Sequence, residues 1–222
     1  SSALLSWQME YMDLVGANND SLSELDGRGV VVCVVDSGVD LDHPDLRGVE
    51  LKGWRDSING VGEPYDDEGH GTAMTGIIVS DGGLDGVAKE VELLVAKAIN
   101  DEGQGTDETV SDSVDWCVQQ GADIISLSLG GSQSFGSDFI TTDELERSVD
   151  DALDSGVFVV SSAGNDGEDD DGDVGSPGSV GGVICVGGIT RSGTIWSGSS
   201  EGDNDGRLWP NPILPRSDPD KQ

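Results

Sequence analysis

Apolar residues along the chain gather into short blocks separated by Gly, Asp and Ser, and the blocks follow two different periods. The most continuous is Val30 to Val35, five valines and a cysteine bounded by Gly29 and by Ser37-Gly38. A strand this uniformly apolar is buried on both faces, as strands inside parallel sheets are. Residues 91–97 (VELLVAK), 122–131 (ADIISLSLGG), 157–165 (VFVVSSAGN) and 180–190 (VGGVICVGGIT) predict further strands. Helical patterns run between them. His70 to Ser80 is small and apolar, with Ala73, Ile77 and Ile78, and predicts a helix deep in a core. Thr106 or Asp107 caps a second helix that places Val110, Val114, Cys117 and Val118 on one face and stops at Gly121. Thr141 with Glu144 forms a capping box for a third, carried through Val149, Ala152 and Leu153 to Gly156. Residues 47–69 read as a polar loop. Leu4, Leu5, Met12 and Val15 at the N-terminus suggest one or two short helices on the surface.

Strands alternating with helices predict an α/β fold of three layers, a doubly wound, mostly parallel sheet with helices on both faces. The 222 residues suit one such domain. After residue 190 the pattern degrades into a Gly-, Pro- and Asp-rich stretch with no element to anchor it, so the fold is expected to be incomplete at the C-terminus. The expected division is a surface segment over 1–27, the α/β domain over 28–200, and a loop over 201–222 leading to a missing C-terminal portion.

Charge narrows the partners. Forty-four acidic residues oppose eleven basic ones, a formal charge of -33. Such a surface repels nucleic acid and anionic membranes and is suited to concentrated salt, the setting of a halophile-type protein. Patterned apolar blocks argue against global disorder, although residues 166–175, almost pure Asp and Gly, are expected to be locally disordered. Cys33, Cys117 and Cys185 all sit in apolar patterns, and their odd number reads as three small buried hydrophobes rather than a disulfide framework.

Chain direction puts Asp36 at the carboxyl end of the first strand, the edge of an open α/β sheet where ligands bind. A carboxylate delivered there by a dry strand needs a partner, since an unpaired buried charge is costly. His70, one of only two histidines, starts a helix beside that edge, and Asn165 ends another strand there. An acid to hold an imidazole in its working tautomer, a His to move a proton, and an amide to meet an oxyanion are three of the groups a serine hydrolase uses.

Four segments in this order, VVDSGVDLDHPDL, GHGTAMTGI, SLSLGG and SSAGN, resemble the subtilisin-like serine peptidases over about residues 28 to 200. The resemblance implies that Asp36 is the triad acid, His70 the general base and Asn165 the oxyanion donor. It implies that the substrate backbone adds as a strand to Ser128, Leu129 and Gly130 and to the loop around Gly103 and Gly105. Ser162, Ala163 and Gly164 would line the first specificity pocket. The chemistry would need no cofactor. Structural calcium is implied at Asp45, although the loop VSDGGLDG that would supply further ligands is short, and oxygen-rich coordination needs several ligands at once. The expected partners are a polypeptide substrate and a propeptide, with no nucleic acid and no membrane. The compartment is not fixed by these features, and family habit leans toward secretion.

One departure dominates. The family carries its serine in a GTS-x-x-x-P motif at the start of a buried helix, and these 222 residues contain no such motif. Gly198-Ser199-Ser200-Glu201-Gly202 satisfies G-x-S-x-G, but it lacks the following helix and the triad order that motif requires, so Ser200 is rejected as nucleophile. In the family's order the serine follows the Asn and is expected beyond Gln222, leaving this chain inactive by itself. The alternative is a non-catalytic peptide-binding relative or an inactive truncated product.

Overall fold

The computed structural model of the chain describes residues 25–130, 143–167 and 174–201, together with Gly16. Six strands form one sheet: β1 Val31–Asp36, β2 Leu51–Asp56, β3 Glu92–Lys97, β4 Ile124–Leu127, β5 Phe158–Ser162 and β6 Ile184–Val186. Their order is β2-β3-β1-β4-β5-β6, and every pairing is parallel. Among the described residues three helices accompany them: α1 His70–Val79, α2 Asp107–Gln119 and α3 Asp143–Asp154.

β1 lies at the centre, and its unbroken apolar run serves two layers at once. Val31, Cys33 and Val35 join Val110, Val114 and Cys117 of α2 and Val149 and Ala152 of α3 in one core. Val34 faces the other way, with Leu93, Val95, Leu46 and Val79 of α1. A strand buried on both sides cannot alternate, which explains why its sequence reads as a solid block. α2 opens on a hydrogen-bonded cap. Its N-cap Thr106 accepts from the Thr109 backbone, and the Thr109 side chain answers the Thr106 backbone in a reciprocal capping box.

The structure corrects several expectations. Residues 47–69 are not all loop, because β2 occupies Leu51–Asp56 as the sheet's edge strand. Its residues are only partly covered and its register shifts between Leu51 and Gly53, so LKGWRD shows no clean alternation. α1 is not deep throughout: Gly71, Thr75 and Val79 are buried, whereas Ala73 is exposed and Ile77 is 58% exposed. The strand expected over 180–190 shrinks to three residues. Cys33 and Cys117 are not independent hydrophobes but form a disulfide that ties β1 to α2, leaving Cys185 free. The Thr141 capping box, the N-terminal helices, most of the acidic stretch and nearly all of 201–222 lie outside the described residues.

Among the described residues, one face of the sheet is unevenly covered. α2 and α3 close one side, but on the other α1 lies over β1 and its neighbours toward β3. Phe158 of β5 is 63% exposed, and Ile184 and Val186 of β6 are about half exposed. These residues leave apolar side chains open on the paired strands β5 and β6.

Candidate active site

The carboxyl edge of β1 turns through Ser37 and Gly38 and meets the start of α1 at very close range. A Cβ on Gly71 would collide with the Gly38 carbonyl oxygen, and one on Gly38, whose φ is 124°, with the Tyr65 carbonyl oxygen. Glycine at both positions lets the helix start against the strand end. Ser37 completes the junction by accepting from the Gly71 N–H through Oγ at 2.8 Å and donating to Asp66 Oδ1 at 2.9 Å.

This junction brings Asp36 and His70 together. His70 Nδ1 lies 2.8 Å from Asp36 Oδ1, and the same oxygen accepts the Ser37 N–H at 2.8 Å. Asp36 is only 2% exposed, and its Oδ2 is buried without a hydrogen-bond partner. Burial pushes the Asp36 carboxyl above the usual carboxylate range, against the opposing pull of the His70 and Ser37 hydrogen bonds. The His70 side chain, 46% exposed, stands at the wet end of the pair. With Nδ1 bound to a carboxylate, Nε2 is the nitrogen left for proton transfer. The His70 N–H is itself held by Glu68 Oε2 at 2.7 Å.

Asp36 and His70 open onto a cleft that is also lined by Gly103, Gly105, Ser128, Leu129 and Gly130, so the structure assembles these sequence candidates at one place. Ile99, Val110 and Leu145 supply apolar wall. Ser162, Ala163 and Gly164 follow at the end of β5, the neighbour of β4, and the Ser162 hydroxyl reaches the Leu129 carbonyl at 3.5 Å. Ala163 is buried. Asn165 is exposed on the loop after β5 and is not among the residues lining the cleft. Ser200 is buried beneath that loop, its Oγ accepting the Asp166 N–H at 3.1 Å and its N–H bonded to the Gly164 carbonyl. Its hydroxyl is committed to holding the loop.

Asp45 sits apart from the cleft, and its surroundings do not fit a calcium site. Its Oδ1 accepts the Gly83 N–H at 2.5 Å, and the neighbouring acids Asp81 and Asp85 are bound by the Lys89 ammonium. Among the described residues no group of three or more His, Cys, Asp or Glu is placed to hold a metal ion. Lys89 is thus the counter-charge of Asp81 and Asp85.

Two participants were not singled out from sequence. Asp66 organises the loop before α1, accepting from Ser37, Gly69 and Thr72, and these bonds pull its carboxyl below the usual range despite its partial burial. Lys97 is fully buried at the end of β3, directly paired with Asp36 in the sheet. A lysine closing an otherwise apolar strand was the available signal.

The chain has relatives among known proteins. The profile of the Subtilase family matches residues 27–214. The serine protease AprX of Bacillus subtilis (strain 168) is 40% identical over 157 residues, which cover 65% of this chain and 35% of AprX. Subtilisin DY of Bacillus licheniformis is 32% identical over 193 residues, covering 85% of this chain and 67% of that protein. A crystal structure of a cold adapted subtilisin-like serine proteinase matches with a TM-score of 0.67 at 30% identity, over 81% of this chain and 62% of that one. The chain thus spans about a third of AprX's length.

Proposed function

The chain belongs to the subtilase family, and from that premise we propose that it supplies the acid, the base and the substrate cleft of a serine endopeptidase. The observation that carries this reading is the 2.8 Å contact between His70 Nδ1 and the buried Asp36 at the mouth of a cleft. Asp36 holds the imidazole with Nε2 free and stabilises it when it becomes charged. His70 takes the proton of the attacking serine and later gives it to the leaving amine. Asn165, with a backbone N–H, meets the oxyanion. Its exposed position on a loop leaves it accessible to such an oxygen. An extended peptide adds as a strand to Ser128, Leu129 and Gly130, where main-chain pairing gives affinity without demanding one sequence.

The serine lies beyond Gln222 in this reading. The exposed apolar side chains of Phe158, Ile184 and Val186 on the paired strands β5 and β6 support it, since a folded domain normally covers a patch of this kind. The acidic composition supports a working environment of concentrated salt, and the Cys33–Cys117 disulfide favours an oxidising compartment.

The test is casein hydrolysis in molar salt. The pure 222-residue chain is expected to show none above background, since a site without its nucleophile keeps only weak residual catalysis. A chain extended through a GTS-x-x-x-P segment is expected to hydrolyse casein and to be inhibited by a serine-directed phosphonylating reagent. Robust hydrolysis by the 222-residue chain itself would overturn the assignment of the nucleophile.

A further inference from the structure

Lys97 is 0% exposed, yet it carries a charge into an apolar sheet beside Val95 and Ala96. All three of its ammonium hydrogens have acceptors: the Ser37 carbonyl at 2.6 Å, Asp67 Oδ1 at 2.5 Å and the Ile99 carbonyl at 2.7 Å. The ammonium also lies 5.0 Å from the centroid of the Tyr65 ring. An apolar side chain would fill such a position with no desolvation cost, so the charge has to be explained by what it holds.

Two of those acceptors belong to the two segments that carry the catalytic pair. Ser37 follows Asp36 directly, and its N–H donates to the Asp36 carboxylate while its carbonyl accepts from Lys97. Asp67 lies in the loop that runs into His70, between Asp66, which caps that loop, and Glu68, which holds the His70 N–H. We propose that Lys97 is a positioning residue: its ammonium pins the turn after Asp36 to the loop before His70 and thereby fixes the Nδ1–Oδ1 contact. The inference rests on the reading of Asp36 and His70 as the working pair. The other ionisable groups around the pair, Asp66, Asp67, Glu68 and, across the cleft, Asp107, are all acids, and no lysine or arginine lines the cleft among the described residues. The ammonium is therefore the one cation tying these segments together there.

The test uses the proton that bridges His70 and Asp36. Held between imidazolium and carboxylate, it gives a strongly deshielded proton resonance, and exposed His43 serves as the internal comparison. The unaltered chain is expected to show this resonance, and Lys89→Met, which removes a lysine bound to Asp81 and Asp85 elsewhere, is expected to keep it. Lys97→Met is expected to stay folded by circular dichroism while the bridging proton exchanges with solvent at least about tenfold faster or is lost. The double variant Lys97→Met/Asp67→Asn, which strands no carboxylate, is expected to behave the same way and decides the matter if the single variant does not fold. A folded variant with the resonance unchanged, absence of the resonance from the unaltered chain, or failure of both variants to fold would each overturn the proposal. The readout needs no peptidase activity, so an inactive extended chain would count against the proposed function and leave this inference standing.

Discussion

Asp36→Asn is expected to raise the thermal midpoint of the chain at neutral pH and, in the peptidase completed by its serine, to cut turnover by about 10⁴-fold. The two effects share one cause. Asp36 is buried with one oxygen unpartnered, and burial raises its pKa in the folded state. A carboxyl whose folded pKa lies above its unfolded value binds its proton more tightly when folded. Its favourable contribution is therefore present at acid pH and is lost as pH rises from the ordinary carboxylate range through the raised value. At neutral pH the ionised group costs stability. An amide of the same shape avoids that cost and can still accept from the imidazole, but it brings no negative charge to stabilise the imidazolium. The stabilisation should therefore shrink as pH falls below the ordinary carboxylate range. Differential scanning calorimetry across pH, beside casein turnover of the extended chain, checks both halves. A lower midpoint for the variant at neutral pH would contradict the account of Asp36.

Removing the disulfide, by Cys33→Ala with Cys117→Ala, is expected to cost about 3–4.5 kcal/mol of stability. The bond joins residues 84 apart in sequence, so in the unfolded chain it closes a long loop and restricts the ensemble strongly. In the folded chain both cysteines are fully buried between β1 and α2, so a reductant should reach the bond only after local or global opening. Guanidinium unfolding of the oxidised chain and the double variant measures the difference, with Cys185→Ala as a control expected to fall within about 1 kcal/mol of the parent. Equal midpoints for the oxidised chain and the double variant would show that the bond contributes nothing.

What could be read from sequence follows from what burial writes into it. β1 and β3 were legible because strands buried in a parallel sheet are almost wholly apolar and end abruptly where the sheet does. The positions of Asp36 and His70 were legible for the same reason, since a polar residue closing a dry strand and a histidine opening the helix beside it have few places to go. β2 was not, because an edge strand is half wet and LKGWRD satisfies neither period. The exposed side of α1 was misread because small apolar residues are compatible both with a buried helix and with one side left open. The disulfide was illegible because Cys33 and Cys117 each fit their own local apolar pattern, and only the packing of α2 on β1 puts them together. Lys97 was passed over because a lysine at a strand end ordinarily marks the surface; its burial depends on the Ser37 turn and the Asp67 loop, both distant in sequence.

The central claim, that this chain carries the acid and base of a subtilase triad whose serine follows it, is tested most directly by sequencing the native transcript past the codon for Gln222. The account predicts a continuous reading frame that encodes a GTS-x-x-x-P segment. A stop codon immediately after Gln222, in a transcript whose product folds stably, would contradict it and turn Asp36 and His70 into binding groups of a non-catalytic domain.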